Sequence, residues 1–363
     1  MILFYFLMII PIMILLTFMP YLTNKNECFG VSIPSQLHNT SQIKRLKNKF
    51  IAYSTIMNVV LLSIYLISSK LVTSIYRIDI IFASFISIYL IIYFIIYIFF
   101  YKRMKSIKNN SDWQSDAQKK VVIDTSFRNN KLIYSNMWFI PSFLIILLTI
   151  YLSIKYYSQL PNNLLINYDL SGLTKNDLVK SKKTIFFTPT TQLFLTILFI
   201  IINTTIHSAK QQINYNSPKD SIKRSIIFRR SWSLYLIFMN TLMMIMLGLF
   251  QTYSLFNLSK KTVQIIPFYF SGAMMIGLLI LVFRLGQGGS RLKTGVVQNT
   301  NNTLSDADKF WKLGMFYYNK NDPTLFLEKR FGIGWTINFA RPLAWIIIVS
   351  TILIAISLPY FYN

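Results

Sequence analysis

Ile80-Ile-Phe-Ala-Ser-Phe-Ile-Ser-Ile-Tyr-Leu-Ile-Ile-Tyr-Phe-Ile-Ile-Tyr-Ile-Phe-Phe-Tyr101 carries no charged residue. At a rise of about 1.5 Å per residue, a helix of this length crosses a hydrocarbon layer roughly 30 Å thick. In lipid every backbone N–H and C=O must be paired within the segment, and the run is too long for a barrel strand, so it reads as a spanning helix. Seven further runs share its texture, at 1–21, 50–69, 137–154, 184–207, 232–256, 265–283 and 342–361. The expected fold class is all-α: a polytopic transmembrane helical bundle of about eight spans. The run at 1–21 has neither the basic leader nor the small-residue cleavage site of a secretory signal, and is read as a retained span.

Composition agrees with that reading. Hydrophobic residues make up 53% of the chain and charged residues only 13%, about half the share usual in soluble domains. The formal charge of +25 would raise nucleic acid as a partner in a soluble protein. Here the basic residues lie between the apolar runs, so contact with a lipid bilayer carrying anionic headgroups explains them, and no nucleic-acid partner is expected.

Of the 37 Lys and Arg, 28 fall in the first, third, fifth and seventh loops (22–49, 102–136, 208–231 and 284–341), leaving 9 for everything else. The positive-inside bias places those loops in the cytoplasm and both termini outside, in the cytoplasmic membrane. Four segments follow. Residues 1–136 form a three-span region with basic loops, and 137–207 hold two spans flanking the outer loop 155–183. Residues 208–283 carry a basic loop and spans six and seven, and 284–363 a Gly- and aromatic-rich loop with the last span. Ser41-Gln-Ile-Lys-Arg-Leu-Lys-Asn-Lys-Phe50 reads as a basic interfacial helix entering the second span. Val121-Val-Ile123, amid basic residues, also suits the headgroup layer.

The apolar runs lack mid-span Asp, Glu, Lys and Arg, which argues against a proton pump though not against a channel or flippase. Asn58, Asn203, Asn240 and Gln251 are mild polar residues within spans, suited to interhelical hydrogen bonds, and Ala273 with Gly277 suits close helix packing. Cys28 is the lone cysteine, and His38 and His207 lie far apart, so no metal-ligand cluster, cofactor site or nucleophile–base set can be assembled. No enzymatic activity is expected.

Two loops carry more information. Gly286-Gln-Gly-Gly-Ser-Arg291, with Gly288 and Gly289 inside it, is either a flexible exit from the seventh span or a backbone nest for an anionic group. Beyond it, Trp311, Tyr318, Asn319, Asp322, Arg330, Gly334, Trp335 and Asn338 lie in a stretch rich in turn chemistry and amphipathic rings. That stretch suits either a lipid-facing belt or a docking surface for a cytoplasmic regulator. On the other side, the loop Leu160-Pro161 through Asn167-Tyr168-Asp169 and Gly172 to Lys182 suits a short hairpin. It is either a connector or a recognition loop for an extracellular peptide or for envelope material.

These last two segments resemble known sequences. The order Leu-Pro, Gly, Ser-Lys in 160–182 resembles the outer-loop motif of the SdpI-type membrane family, immunity proteins against a secreted sporulation-delaying toxin. Asn167 stands where that family has His, and Tyr168 where it has Phe. The positions Trp311, Gly314, Tyr318, Asn319, Asp322, Pro323, Arg330, Gly332, Gly334, Trp335, Asn338 and Pro342 are similar to a C-terminal module of unknown function in larger Gram-positive relatives. Cys28-Phe-Gly-Val-Ser-Ile-Pro34 is similar to their N-terminal loop. The resemblance implies a helical membrane protein that protects against, or senses, a membrane-active peptide or envelope stress. A transporter or flippase for a small or lipidic substrate is the rival expectation, and a membrane-embedded enzyme the next.

Overall fold

The computed structural model describes residues 2–71, 75–111, 130–159, 163–164, 178–179, 181–210, 218–256, 260–292 and 307–360. Among the described residues the chain is built on eight α-helices: α1 (Ile2–Leu22), α2 (Ser41–Leu71), α3 (Ile75–Asn109), α4 (Ile140–Lys155), α5 (Lys182–Ser208), α6 (Pro218–Phe256), α7 (Lys260–Leu285) and α8 (Pro342–Tyr360). Among the described residues, 7 helices are long and apolar enough to cross a membrane, and α8 contributes a shorter apolar stretch, Pro342–Ile354. The chain is thus a helical bundle of the multi-pass membrane kind.

The outer surface shows why. Along α2, Ser54, Met57, Leu61 and Tyr65 point inward at helical spacing, while Ile56, Val59, Val60, Ile64 and Ile67 are exposed on the opposite face. A helix in water would put polar residues on that face. Here the exposed face is as apolar as the buried one, which is stable only against lipid.

Several helices outrun the apolar segments read from the sequence. The basic stretch from Ser41 is the first turns of α2, α3 runs on to Asn109, and α6 starts at Pro218, well before its apolar run. Lys, Arg and Glu are good helix formers, so polar flanks extend a span beyond the hydrocarbon without interrupting the backbone ladder.

α1, α2 and α3 pack together through one aromatic-rich core that includes Tyr5, Met57, Tyr65, Tyr89, Tyr93 and Phe100. α4, α5 and α6 form a second three-helix unit, and α7 lies between α1 and α6. Gly277 lets α7 approach α6: a Cβ there would sit 3.2 Å from the Tyr235 ring.

Short hairpins accompany this helical bundle. Among the described residues there are four two-stranded antiparallel pairs: β1 (Glu27–Cys28) with β2 (Val31–Ser32), β3 (Asn163–Leu164) with β4 (Leu178–Val179), β5 (Trp311–Lys312) with β6 (Phe316–Tyr317), and β7 (Phe326–Glu328) with β8 (Trp335–Ile337). Strands this short carry too little periodicity to be distinguished from loop. β3 and β4 close the base of the loop between α4 and α5. The other three hairpins gather at the opposite end of the bundle, where α1 ends, α2 starts, α3 ends, α5 ends and α6 starts.

Candidate functional site

The three gathered hairpins form a cap across that end of the bundle, and its first contact is between two hairpin tips. Phe29 and Gly30, the two residues joining β1 to β2, both have positive φ (48° and 78°), the backbone of a tight two-residue hairpin. Leu313 and Gly314, between β5 and β6, also have positive φ (52° and 71°). The tips meet at their glycines: a Cβ on Gly30 would lie 2.4 Å from the Gly314 carbonyl oxygen. Tyr97 of α3 pins both, its hydroxyl donating to the Leu313 carbonyl at 2.8 Å and lying 3.3 Å from that of Phe29. Phe29 then stacks on Phe100 and Phe331 at 5.4 and 6.0 Å between ring centres.

Beside this contact runs a charge network. Asp308 accepts from Lys108 Nζ of α3 at 2.6 Å, from Ser32 Oγ at 2.8 Å and from Arg330. Arg330, nearly buried, also faces Glu27 at 3.6 Å and lies over the Trp311 ring at 5.1 Å. Burial pushes the Glu27 carboxyl up to about 8, against the pull of Arg330, so it stays largely protonated near neutrality. Asp308 is held below the usual carboxylate range: its burial is outweighed by Arg330, Lys108 and Ser32. Arg330 is shared, and Asp308 takes the better geometry.

A second network joins the cap to α5 and α6. Arg229, fully buried on α6, donates Nη1 to the carbonyls of Ile206 (2.7 Å) and Ala209 (3.0 Å), and Nη2 to Lys210 (3.3 Å). These are the orphan carbonyls at the end of α5, where a cation is favoured. Glu328 of β7 is its counter-charge at 3.6 Å. The Lys210 backbone N–H donates to the Phe326 carbonyl at 2.8 Å, and its ammonium pairs with Asp322 at 2.7 Å. Asp322 also accepts from the Tyr317 hydroxyl at 2.9 Å, and its carboxyl is lowered to about 2 by Lys210, Thr324 and Tyr317 despite burial.

Asn338 ties the module to itself. Its Nδ2 donates to the carbonyls of Asn319 and Asp322, and its Oδ1 accepts from the backbone of Asn319 and Ala340. Both polar atoms of the fully buried amide are therefore used.

The residues singled out in the sequence fall into three groups. Trp311, Asn319, Asp322, Arg330, Gly334, Trp335 and Asn338 belong to the cap, packed against protein rather than displayed as a belt, while Tyr318 is exposed. Gly286, Gly288 and Gly289 form a tight turn with positive φ at all three, packed on α6. The N–H groups of Gly286 and Arg291 are spent on α7 carbonyls (Val282 and Leu285) and those of Ser290 and Leu292 on carbonyls of the turn (Gln287 and Gly289), which removes these four from an anion-binding nest, and the Arg291 side chain is exposed. Lys182 is exposed at the start of α5, and Pro161, Asn167, Tyr168, Asp169 and Gly172, like Val121–Ile123, lie outside the described residues.

Sequence reasoning missed Glu27, Lys108, Arg229, Gln287, Asp308 and Glu328. Gln287 clamps Gly334 by a two-way pair, accepting from its N–H at 2.7 Å and donating to its carbonyl at 3.0 Å. The available signal was scarcity. The chain has 12 acidic residues against 37 basic ones, and Glu27, Asp220, Asp308, Asp322 and Glu328 each have a basic partner at this end.

Comparison with known proteins adds one match. Residues 320–345, from the turn before β7 to the start of α8, match a family of unknown function, DUF5808. No curated protein and no solved structure matches the chain.

The cap has a defined pH response. In the folded state the Glu27 carboxyl binds its proton more tightly than in the unfolded chain, so its contribution to stability is full below about 4.5 and is lost as pH rises through about 8. Glu328 shifts in the same direction through burial. Between about pH 7 and about pH 9, above the range in which the buried His38, lowered to about 4, adds stability with rising pH, the unfolding midpoint in lipid nanodiscs should therefore fall. Glu27→Gln should make that fall shallower, and an equally steep fall in the variant would remove Glu27 as its cause.

Proposed function

We propose that this chain is an SdpI-like protein of the cytoplasmic membrane that protects against, or senses, a membrane-active peptide or envelope stress. In this reading there are eight spans, both termini are extracytoplasmic, the 160–182 loop meets the agent outside, and the cap faces the cytoplasm. The protein acts without enzymatic chemistry, and a cytoplasmic regulator is the partner the cap engages.

The observation that carries the proposal is the continuity of α5. Its first residue, Lys182, follows β4 at the base of the outer hairpin, and its last turn is gripped by Arg229, with the Lys210 backbone joined to β7 just beyond. A displacement of the outer loop thus has one rigid element between it and the cap. The resemblance of 160–182 to the immunity family's outer loop adds to this.

A deletion strain exposed to a panel of membrane-active peptides tests the reading. Sensitivity to at least one peptide should rise several-fold and return to normal on complementation. Unchanged sensitivity to every peptide, with overexpression also without effect, sinks it. Substrate uptake or lipid exchange by the purified protein in vesicles would favour the transporter or flippase instead.

A further inference from the structure

Four amides occupy the seam where α4, α5 and α6 meet, and each has an orphaned oxygen. Ser233, Asn240, Met244 and Gln251 of α6 lie seven, four and seven residues apart, and so do Ile185, Gln192, Thr196 and Asn203 of α5. Both sets are buried, as are Ser142, Ile146, Thr149 and Ser153 of α4. Such spacing makes a continuous stripe along a helix. From Ser233 to Gln251 the stripe extends roughly 27 Å, close to the thickness of the hydrocarbon layer.

The amide nitrogens are well placed. Gln251 Nε2 donates to Ser153 Oγ at 3.0 Å and to the Ile185 carbonyl at 3.2 Å. Gln192 Nε2 donates to the Met244 carbonyl at 2.9 Å, Asn240 Nδ2 to Ser142 Oγ at 2.8 Å, and Asn203 Nδ2 to the Tyr134 carbonyl at 3.2 Å and Asn136 Oδ1 at 2.9 Å. Backbone carbonyls cannot donate, so the orientations of Gln251, Gln192 and Asn203 are fixed; turning any of them would set oxygen against oxygen.

The four amide oxygens, Gln251 Oε1, Gln192 Oε1, Asn240 Oδ1 and Asn203 Oδ1, are buried and receive no hydrogen bond. The nearby hydroxyls do not serve them. Thr149, Ser153 and Thr241 spend their hydrogens on carbonyls of their own helices, and Thr196 points its hydrogen at Met244 Sδ. An unpaired buried acceptor costs a few kcal/mol, and lipid offers nothing to relieve it. Four in one seam require a donor small enough to enter between helices.

We propose that the α4–α5–α6 seam binds internal water at the levels of Gln251, Gln192, Asn240 and Asn203, each molecule donating to the amide oxygen beside it. Gly248 leaves room at the Gln192 level: a Cβ there would lie 3.4 Å from Thr149 Oγ1 and 3.7 Å from Gln192 Nε2. The site is polar and supplies several partners per molecule, the conditions under which buried water is stable. The inference is independent of what the outer loop meets.

Met244 reports on the seam. It is fully buried, on the same stripe as the amides, while Met13 and Met57 are buried in the apolar core of α1–α3. Hydroxyl radicals generated from bound water by a brief X-ray pulse oxidise only side chains beside that water. For the full chain in nanodiscs in oxygen-18 water, Met244 should be labelled about tenfold faster than Met13 and Met57, because internal water lies beside it. Equal protection of all three overturns the proposal. Gly248→Ala, whose added methyl meets only ordinary contacts, should lower the Met244 rate several-fold with the fold intact. Gln192→Leu should lower it as well. Fast labelling that neither substitution changes would mean radicals arriving from bulk solvent, and would equally refute the bound-water site.

Discussion

Replacing Arg330 by methionine is expected to destabilise the cap by about 3 kcal/mol and to release the β1–β2 hairpin. Breaking a buried ion pair by removing one partner typically costs about 3–5 kcal/mol, because a charge is left without compensation. The lower end applies here for two reasons. Glu27 is largely protonated near neutrality and loses little, while Asp308 keeps Lys108 and Ser32. The lost cation–π contact with Trp311 adds to the cost. Hydrogen exchange in nanodiscs should show residues 24–34 and 307–317 losing protection together, with little change along α4. A double-mutant cycle sharpens the test. Combining Arg330→Met with Glu27→Gln should give near-additive effects at neutral pH and strong coupling above about pH 9, where Glu27 ionises. Coupling that is already large at neutral pH would contradict the protonated carboxyl.

Gly30→Ala should be comparably damaging through sterics alone. The new Cβ would stand 2.4–2.8 Å from the carbonyl oxygen, Cα and carbonyl carbon of Gly314, all backbone atoms without rotamers to escape through. The positive φ adds strain that a glycine does not feel. Together the two terms are worth about 3 kcal/mol or more, so the tips should part. The expected sign is a lowered unfolding midpoint and rapid exchange at the Leu313–Gly314 turn. By contrast, Gly334→Ala meets no atom within 4 Å and bears only its positive-φ penalty, so it should be the milder change. If Gly30→Ala proved as mild as Gly334→Ala, the tip-to-tip contact would be wrong.

The helices were legible because a bilayer imposes length and apolarity on contiguous residues, and both survive in a single sequence. Asn58, Asn203, Asn240 and Gln251 were also readable as bridges between helices, and each does reach another helix or its flank. The cap was not legible in the same way. Its decisive pairs join residues far apart in the chain, such as Lys108 with Asp308 and Glu27 with Arg330, and no local pattern encodes such partners. Gly286–Arg291 illustrates the difference. The glycines correctly announce an unusual backbone, but whether its amides face a ligand or one another depends on α6 and on Gln287, which sequence spacing does not show. The orphaned oxygens in the seam were likewise invisible, since they appear only once every donor in the neighbourhood has been assigned.

The proposed arrangement, an outer loop and an inner cap on opposite sides of the membrane, is best tested by labelling single cysteines in intact cells. Lys182 and Lys320 are both exposed, at the two ends of the bundle, and Cys28 is buried with its thiol pushed up to about 12, so Cys28→Ser supplies a silent background. A membrane-impermeant maleimide should modify Lys182→Cys in intact cells and Lys320→Cys only after permeabilisation. Modification of Lys320→Cys in intact cells, with Lys182→Cys protected until the membrane is opened, would turn the protein over and leave the cap facing outward.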